Sequence, residues 1–154
     1  MSIEDINHTF DQWNLSLSER QKKYINYQTM KNFAFHFDKV PSGATHDKFI
    51  SLFSQYIEEV INSDFDFNAD TGNALASKYL YPMADYYKDF LNFKPMIMLS
   101  NIIIWGIMGD TLLYISGIAS HFYYIPVIIS GLLLYYLYLL VFKVRKKMVY
   151  GLFY

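Results

Sequence analysis

Two long apolar runs dominate the second half of the chain. Residues 95–118 contain no lysine or arginine over 24 positions, and residues 125–142 contain no charged residue over 18. A helix of about 20 residues crosses the ~30 Å hydrocarbon core of a bilayer. Only six residues connect the runs, and so short a connection favours neighbouring antiparallel helices. The pattern predicts a transmembrane hairpin. Two buried core helices of a soluble protein are the alternative, which the basic stop after the second run disfavours.

The first part of the chain carries apolar residues at helical spacing. A capping box, SIED at 2–5, opens a first helix. Its apolar stripe comprises Ile3, Ile6, Phe10 and Trp13. A second box, SLSE at 16–19, starts a longer helix that is expected to run towards Phe37, where DKVPSG at 38–43 breaks it.

Two further helices are predicted before the apolar runs. The third, capped by Ser42 or Thr45, has the clearest amphipathic pattern. Its stripe comprises Phe49, Ile50, Phe53, Tyr56, Ile57, Val60 and Ile61. A fourth helix begins near Asn73 after a loop, meets Pro82, which kinks it or opens a new helix, and continues into the first apolar run.

The predicted fold class is therefore all-α, with three parts. Residues 1–92 form a soluble or peripheral helical region, and residues 93–143 form the antiparallel transmembrane hairpin. Residues 144–154 form a basic–aromatic tail ending in MVYGLFY. We interpret this tail as a docking element for a partner, so deleting residues 148–154 is expected to leave the N-terminal region folded.

Charge is distributed unevenly along the chain. Residues 1–94 carry nine basic and thirteen acidic side chains, whereas KVRKK at 143–147 is purely basic. This balance offers no basic face for nucleic acid. The positive-inside rule places both termini in the cytosol or the mitochondrial matrix. The basic side chains expected to contact lipid headgroups or a partner are Lys143, Arg145, Lys146 and Lys147.

Asp110 interrupts the first apolar run. On a helix it shares a small, polar face with Gly106, and Gly109 is adjacent. A charged aspartate near the bilayer centre costs about 2.5–3.5 kcal/mol, so it must be paired, protonated or near water. A turn near residue 122 places Asp110 opposite roughly residue 134, where Tyr135, Tyr136 or Tyr138 would donate a hydrogen bond to it.

Two other interpretations of Asp110 stay open. It could bond another subunit, or it could relay a proton or ion. The relay is disfavoured because neither run holds a second acid, a histidine or a basic residue. Asn101 lies on the opposite side of the helix, which argues against a common pore face.

The sequence contains no catalytic constellation. The run DFDFNADTG suggests calcium, but an EF-hand needs a glycine and a glutamate where Ala69 and Leu75 stand. The four histidines have no metal-ligand spacing, and the absence of cysteine excludes thiolate sites. There is no phosphate loop or nucleophile elbow. We therefore expect no enzyme activity, no small-molecule substrate and no cofactor of its own, although a bound phospholipid would fit the basic cluster.

The C-terminal third carries a family resemblance. A two-span hairpin with a short loop, followed by FKVRKKMVYGLFY, resembles the two-span accessory subunits of mitochondrial respiratory complexes, in particular complex I subunits of the C2 type and lineage-specific subunits. The resemblance covers roughly residues 95–154, is mainly architectural, and does not extend to the long N-terminal region. It implies an inner-membrane location, matrix-facing termini, and a role in assembly or stability beside other subunits.

The sequence therefore favours an accessory subunit of a large energy-transducing membrane complex. A bacterial inner membrane with both termini in the cytosol is the alternative location. A self-assembling membrane effector or channel, with a helical sensing domain, is the alternative function. A membrane enzyme is disfavoured because no cluster of polar residues lies at one depth.

Overall fold

The computed structural model describes residues 1–96, 99–117 and 126–151. The chain is mostly helical, as predicted. It divides into two compact units. The helical domain comprises residues 1–94 together with residues 147–151, and the apolar unit comprises the described residues between 95 and 146. This division differs from the sequence-based boundaries, because the end of the chain belongs to the helical domain and is not a separate tail.

The elements follow one another in chain order. The helical domain contains α1 (Ile3–Ser16), α2 (Glu19–Tyr24), α3 (Tyr27–Phe35), a 3₁₀ turn (Phe37–Lys39), α4 (Ala44–Asn62), α5 (Ala69–Leu75), a π-helical segment (Ala76–Leu80) and α6 (Tyr81–Leu91). The short strands β1 (Lys94–Pro95) and β2 (Val149–Tyr150) pair with each other. The apolar unit contains α7 (Leu99–Ile115) and α8 (Val127–Tyr138), which continues as a π-helix (Leu139–Val144).

Helix α1 forms as predicted. The Ser2 hydroxyl accepts the Asp5 N–H at 3.2 Å, and the Asp5 carboxylate accepts the Ser2 N–H at 2.8 Å, which completes the capping box. Ile6, Phe10 and Trp13 are buried in the core. The local sequence signal was sufficient because the cap and the stripe lie within one helix.

The second predicted helix is broken. Ser18, not Ser16, caps α2 through a box with Gln21. The helix ends at Ile25, and Asn26 adopts a left-handed conformation with φ 55° before α3 begins. Asparagine tolerates this conformation better than most residues. Further on, α4 starts after Gly43 without a side-chain cap, so neither Ser42 nor Thr45 has the predicted role.

Buried tyrosines tie the helices of this domain together. The hydroxyl of Tyr56 donates to the carbonyl of Ile25 at 2.6 Å, where α2 ends, and the hydroxyl of Tyr87 donates to the carbonyl of Phe33 at 2.7 Å. Burial raises the pKa of both phenols, so they stay neutral donors. The high tyrosine content thus supplies large apolar side chains that also satisfy backbone carbonyls at helix ends.

The fourth predicted helix starts earlier and stops before the apolar run. Asn68 caps α5 by accepting from the backbone N–H of the two residues that follow Ala69. The helix widens to π geometry just before Pro82, where the Tyr81 N–H donates to the Ala76 carbonyl. It ends at Asn92, which has φ 56°. The predicted continuation into the first apolar run is therefore wrong.

Candidate functional site

The apolar unit exposes most of its large apolar side chains. The segment Val127–Val144 is the one helix in the described part of the chain that is long and apolar enough to cross a membrane. Only 11% of it is buried, whereas a core helix of a soluble protein is mostly buried. Helix α7 is apolar as well, but it is one residue shorter than that segment.

Two glycines allow α7 and α8 to approach closely. A Cβ atom added to Gly106 would lie 2.8 Å from the Cβ of Ile129 and 3.0 Å from its backbone Cα. A Cβ atom added to Gly109 would lie 2.8 Å from the Cδ1 of Ile128. Both distances are shorter than van der Waals contact. The packing requires glycine at residue 106, where the backbone of Ile129 is in the way, whereas at residue 109 the side chain of Ile128 would have to shift.

Asp110 lies beside these glycines and caps α8. Its Oδ1 accepts the N–H of Ile128 at 2.9 Å, and its Oδ2 accepts the N–H of Ile129 at 3.1 Å. The first N–H groups of a helix have no partner within it. The positive end of the α8 dipole also favours a negative group at this place. The half-buried carboxylate is thus satisfied by backbone amides of a neighbouring helix.

The structure corrects the prediction that a tyrosine of the second apolar run donates a hydrogen bond to Asp110. Tyr135 and Tyr138 lie further along α8, are 39% and 41% exposed, and stack on each other with ring centroids 6.2 Å apart. Asp110 lies opposite Ile128 and Ile129 instead of residue 134. It is therefore near the start of α8 and not at the middle of the unit.

The four basic side chains of residues 143–147 differ in their exposure to solvent. Lys143 is buried, whereas Arg145 and Lys146 are exposed. Lys147 belongs to the helical domain, where its ammonium lies 3.8 Å from the centre of the Phe35 ring. Arg145 and Lys146 thus best fit the predicted role of contacting anionic headgroups.

Asp110 also borders an open cleft. The cleft is lined by Ile107, Asp110, Thr111, Tyr114, Pro126 and Ile129. The Thr111 hydroxyl donates to the Ile107 carbonyl at 2.8 Å, so it is already used within α7. No second acid, histidine or base follows Asp110 between residues 111 and 117 or 126 and 142. This arrangement holds two helices together and offers no acid–base pair.

The run DFDFNADTG, which the sequence analysis argued against as a calcium loop, supplies a helix cap. The side chain of Asn68 caps the N-terminus of α5. Across residues 1–96, 99–117 and 126–151, no three side chains of the histidine, aspartate or glutamate type are grouped as a metal site. Glu59, on α4, accepts hydrogen bonds from the side chains of Lys78 and Tyr79.

One feature of the helical domain has no local pattern in the sequence that predicts it. The side chains of Thr29 and Asn32, on α3, bond the backbone of residues 149 and 151 at the far end of the chain. No spacing rule connects positions more than a hundred residues apart.

Comparison of the chain with protein-family models, with curated proteins and with solved structures gave no match. The resemblance to respiratory accessory subunits therefore stays a prediction.

Proposed function

We propose that this chain is a non-catalytic accessory subunit of a membrane-embedded energy-transducing complex. In this proposal α7 and α8 form an antiparallel hairpin that crosses the bilayer twice. The helical domain stands on one side, and its role is to stabilise or assemble the complex beside other subunits and lipids.

One backbone hydrogen bond is the main support for the proposed two-span topology. The N–H of Lys94 donates to the carbonyl of Met148 at 3.1 Å. The apolar unit therefore leaves the helical domain and returns to it at one point. A segment whose two ends lie on the same side of a bilayer crosses it an even number of times. At a rise of 1.5 Å per residue, α7 is about 25 Å long and the segment Val127–Val144, which comprises α8 and its π-helical continuation, is about 27 Å long. Two crossings of the ~30 Å core are therefore within reach of these segments.

The exposed side chains support a partner within the membrane. Trp105, Ile104 and Met108 on α7 are 62%, 60% and 44% exposed. In a bilayer these side chains contact either lipid tails or helices of other subunits. Asp110 supports a structural role for the hairpin, because its carboxylate is used to hold α8. The proposed absence of catalysis rests on the lack of an acid–base or nucleophilic pair beside it.

The choice of complex and compartment rests on the resemblance of residues 95–154 to respiratory accessory subunits. By that resemblance the membrane is the mitochondrial inner membrane, and both termini face the matrix. The exposed Arg145 and Lys146 would then lie at an anionic leaflet, which attracts basic side chains near a span. The positive-inside rule is equally satisfied in the alternative location, a bacterial inner membrane with both termini in the cytosol.

The test is a native gel of membranes solubilised in mild detergent, with mass spectrometry of the proteins that migrate with this chain. Comigration with redox or ATP-synthase subunits in a megadalton band is the expected result. A ladder made of this chain alone would contradict it and favour the self-assembling effector or channel. A matched sample of the chain with Trp105→Ala and Met108→Ala is expected to migrate less in the large band.

A further inference from the structure

The helical domain holds an extended segment of its own chain in a groove. We call this groove the tail slot, formed by the side chains of Thr29 and Asn32 and the backbone of Lys94. The Thr29 hydroxyl donates to the Gly151 carbonyl at 2.9 Å and accepts the Gly151 N–H at 3.0 Å. The Asn32 amide donates to the Val149 carbonyl at 2.9 Å. Every one of these bonds goes to backbone, as in strand addition to a sheet edge.

The polar side chains of the tail slot are built for this contact. Thr29 and Asn32 are 0% and 1% exposed. The Oδ1 of Asn32 accepts from the amide of Gln28 at 3.0 Å, which leaves its NH₂ group to donate to the tail. If the tail were absent, the buried side chains of Thr29 and Asn32 would lose these hydrogen-bond partners. A buried polar group without a partner lowers the free energy of unfolding.

Side chains of the tail add selectivity to the backbone contacts. Val149 is completely buried in the helical domain. The ring of Tyr150 lies 6.2 Å from that of Phe33. The tail slot thus fits an extended segment in which a small apolar residue is followed by an aromatic one.

The tail reaches the slot only after the whole apolar unit has been made. Thr29 and Gly151 are 122 residues apart, and residues 95–146 lie between them. If that unit crosses a membrane once instead of twice, Met148–Gly151 ends on the far side and cannot reach Thr29 and Asn32.

We propose that the tail slot is a peptide-binding site for Met148–Gly151, and that its occupancy stabilises the helical domain only when both spans have been inserted. This rests on the two-span topology of the proposed function. The hydrogen bond from the Lys94 N–H to the Met148 carbonyl joins the two points at which the chain leaves and re-enters the helical domain. A chain that fails to insert its second span keeps an empty slot and a loosened helical domain, which proteases reach faster.

The experiment uses the full chain translated into membrane vesicles with the helical domain outside. Leu133→Arg with Leu137→Arg, on the exposed side of α8, blocks the second crossing, because arginine within a span is costly. Leu133→Phe with Leu137→Phe is the matched control. Digestion of residues 1–94 with a glutamate-specific protease is expected to be about tenfold faster in the arginine chain. A C-terminal epitope reports the side on which each tail lies.

The peptide KKMVYG, residues 146–151, then tests the slot directly. It has no glutamate, so the protease does not cut it, and it is expected to restore slow digestion of the arginine chain. Adding Asn32→Ala to that chain should abolish the protection, whereas Asn14→Ala, at an exposed position of α1, should keep it.

Two results separate the proposals. If the control chain has its N-terminus and its tail on opposite sides, the two-span topology itself is wrong. If they lie on the same side, the two-span topology stands, and two results would overturn the tail-slot proposal. One is equally fast digestion of the arginine and phenylalanine chains, which would show that the slot does not depend on insertion. The other is a peptide that gives no protection.

Discussion

Asp110 on α7 caps α8, because its Oδ1 accepts the N–H of Ile128 at 2.9 Å. Its Oδ2 accepts the next amide, that of Ile129, at 3.1 Å. A helix cap normally comes from the residue just before the helix, which here is Pro126, whose side chain makes no cap hydrogen bond. The carboxylate replaces that cap and joins the two helices at the same time.

Replacing Asp110 therefore tests the cap. Asp110→Leu leaves two amides without a partner, and we expect it to lower the stability of the packed pair α7 and α8 by about 2–4 kcal/mol. Asp110→Asn retains one acceptor oxygen and is expected to cost about 1 kcal/mol. Thermal unfolding of the purified chain in dodecylmaltoside measures both. Equal midpoints for the leucine variant and the parent chain would contradict the cap.

The glycines beside Asp110 allow a graded test of packing. Gly106→Ala places a methyl group against the backbone of Ile129, so helices must separate, and we expect a cost of about 1–3 kcal/mol. Gly109→Ala meets the side chain of Ile128 and not its backbone, with the shortest distance to the flexible Cδ1 atom, so its cost should be smaller.

Gly131 is the matched control for this series. A Cβ atom there meets nothing within 4 Å, although the residue lies within α8. Gly131→Ala should be neutral or slightly stabilising, since alanine favours helix more than glycine. The same unfolding measurement ranks the three variants, and a loss at Gly131 as large as at Gly106 would show that the close approach is not the cause.

The parts predicted correctly from sequence are those with local causes. The capping box of α1 and the buried stripe of α4 from Phe49 to Val60 depend on residues within four positions of one another. The prediction was wrong for Ile61, the last residue of that stripe, which is 52% exposed. The break at Asn26 was not predicted, because Asn26 reads as an ordinary helical residue and the hydroxyl of Tyr56, bonding Ile25, lies on another helix.

The partner of Asp110 depended on helix register. A turn assumed near residue 122 placed residue 134 opposite Asp110, whereas Ile128 and Ile129 occupy that place. Apolar periodicity cannot supply this register, because α7 and α8 are apolar on all sides and neither shows a preferred face. The small residues Gly106 and Gly109 were the available signal, and they do mark the contact with α8.

Acid should weaken the helical domain through Glu59. Hydrogen bonds from Lys78 and then Tyr79 hold the pKa of Glu59 below its ordinary value of 4.5. A carboxyl with a lowered pKa contributes stability above its unfolded pKa and loses it as pH falls through the folded one. The domain is thus expected to lose stability between about pH 4.5 and more acidic values. Solvent screening keeps the effect small, since the side chain is 40% exposed.

Glu59→Gln should flatten part of this acid dependence in unfolding of the full chain followed by circular dichroism. Glu58→Gln is the matched control, because Glu58 is the exposed neighbour on the same helix. The acidic residues Asp5 and Asp11 also have lowered pKa values, so some acid dependence remains in both variants. Identical pH profiles for the two variants would remove the role assigned to Glu59.

Removing residues 148–154 should destabilise the helical domain, contrary to the expectation from sequence. The deletion takes Val149 out of the core and leaves Thr29 and Asn32 without their tail partners. Burial of the valine alone is worth about 2 kcal/mol, and each lost buried hydrogen bond adds about 1 kcal/mol. Val149→Ala isolates the first part and Asn32→Ala the second, both measured as shifts in the thermal midpoint of the full chain. If the deletion leaves the midpoint of the helical domain unchanged, the tail is a docking element for a partner, as its sequence first indicated, and not part of the core.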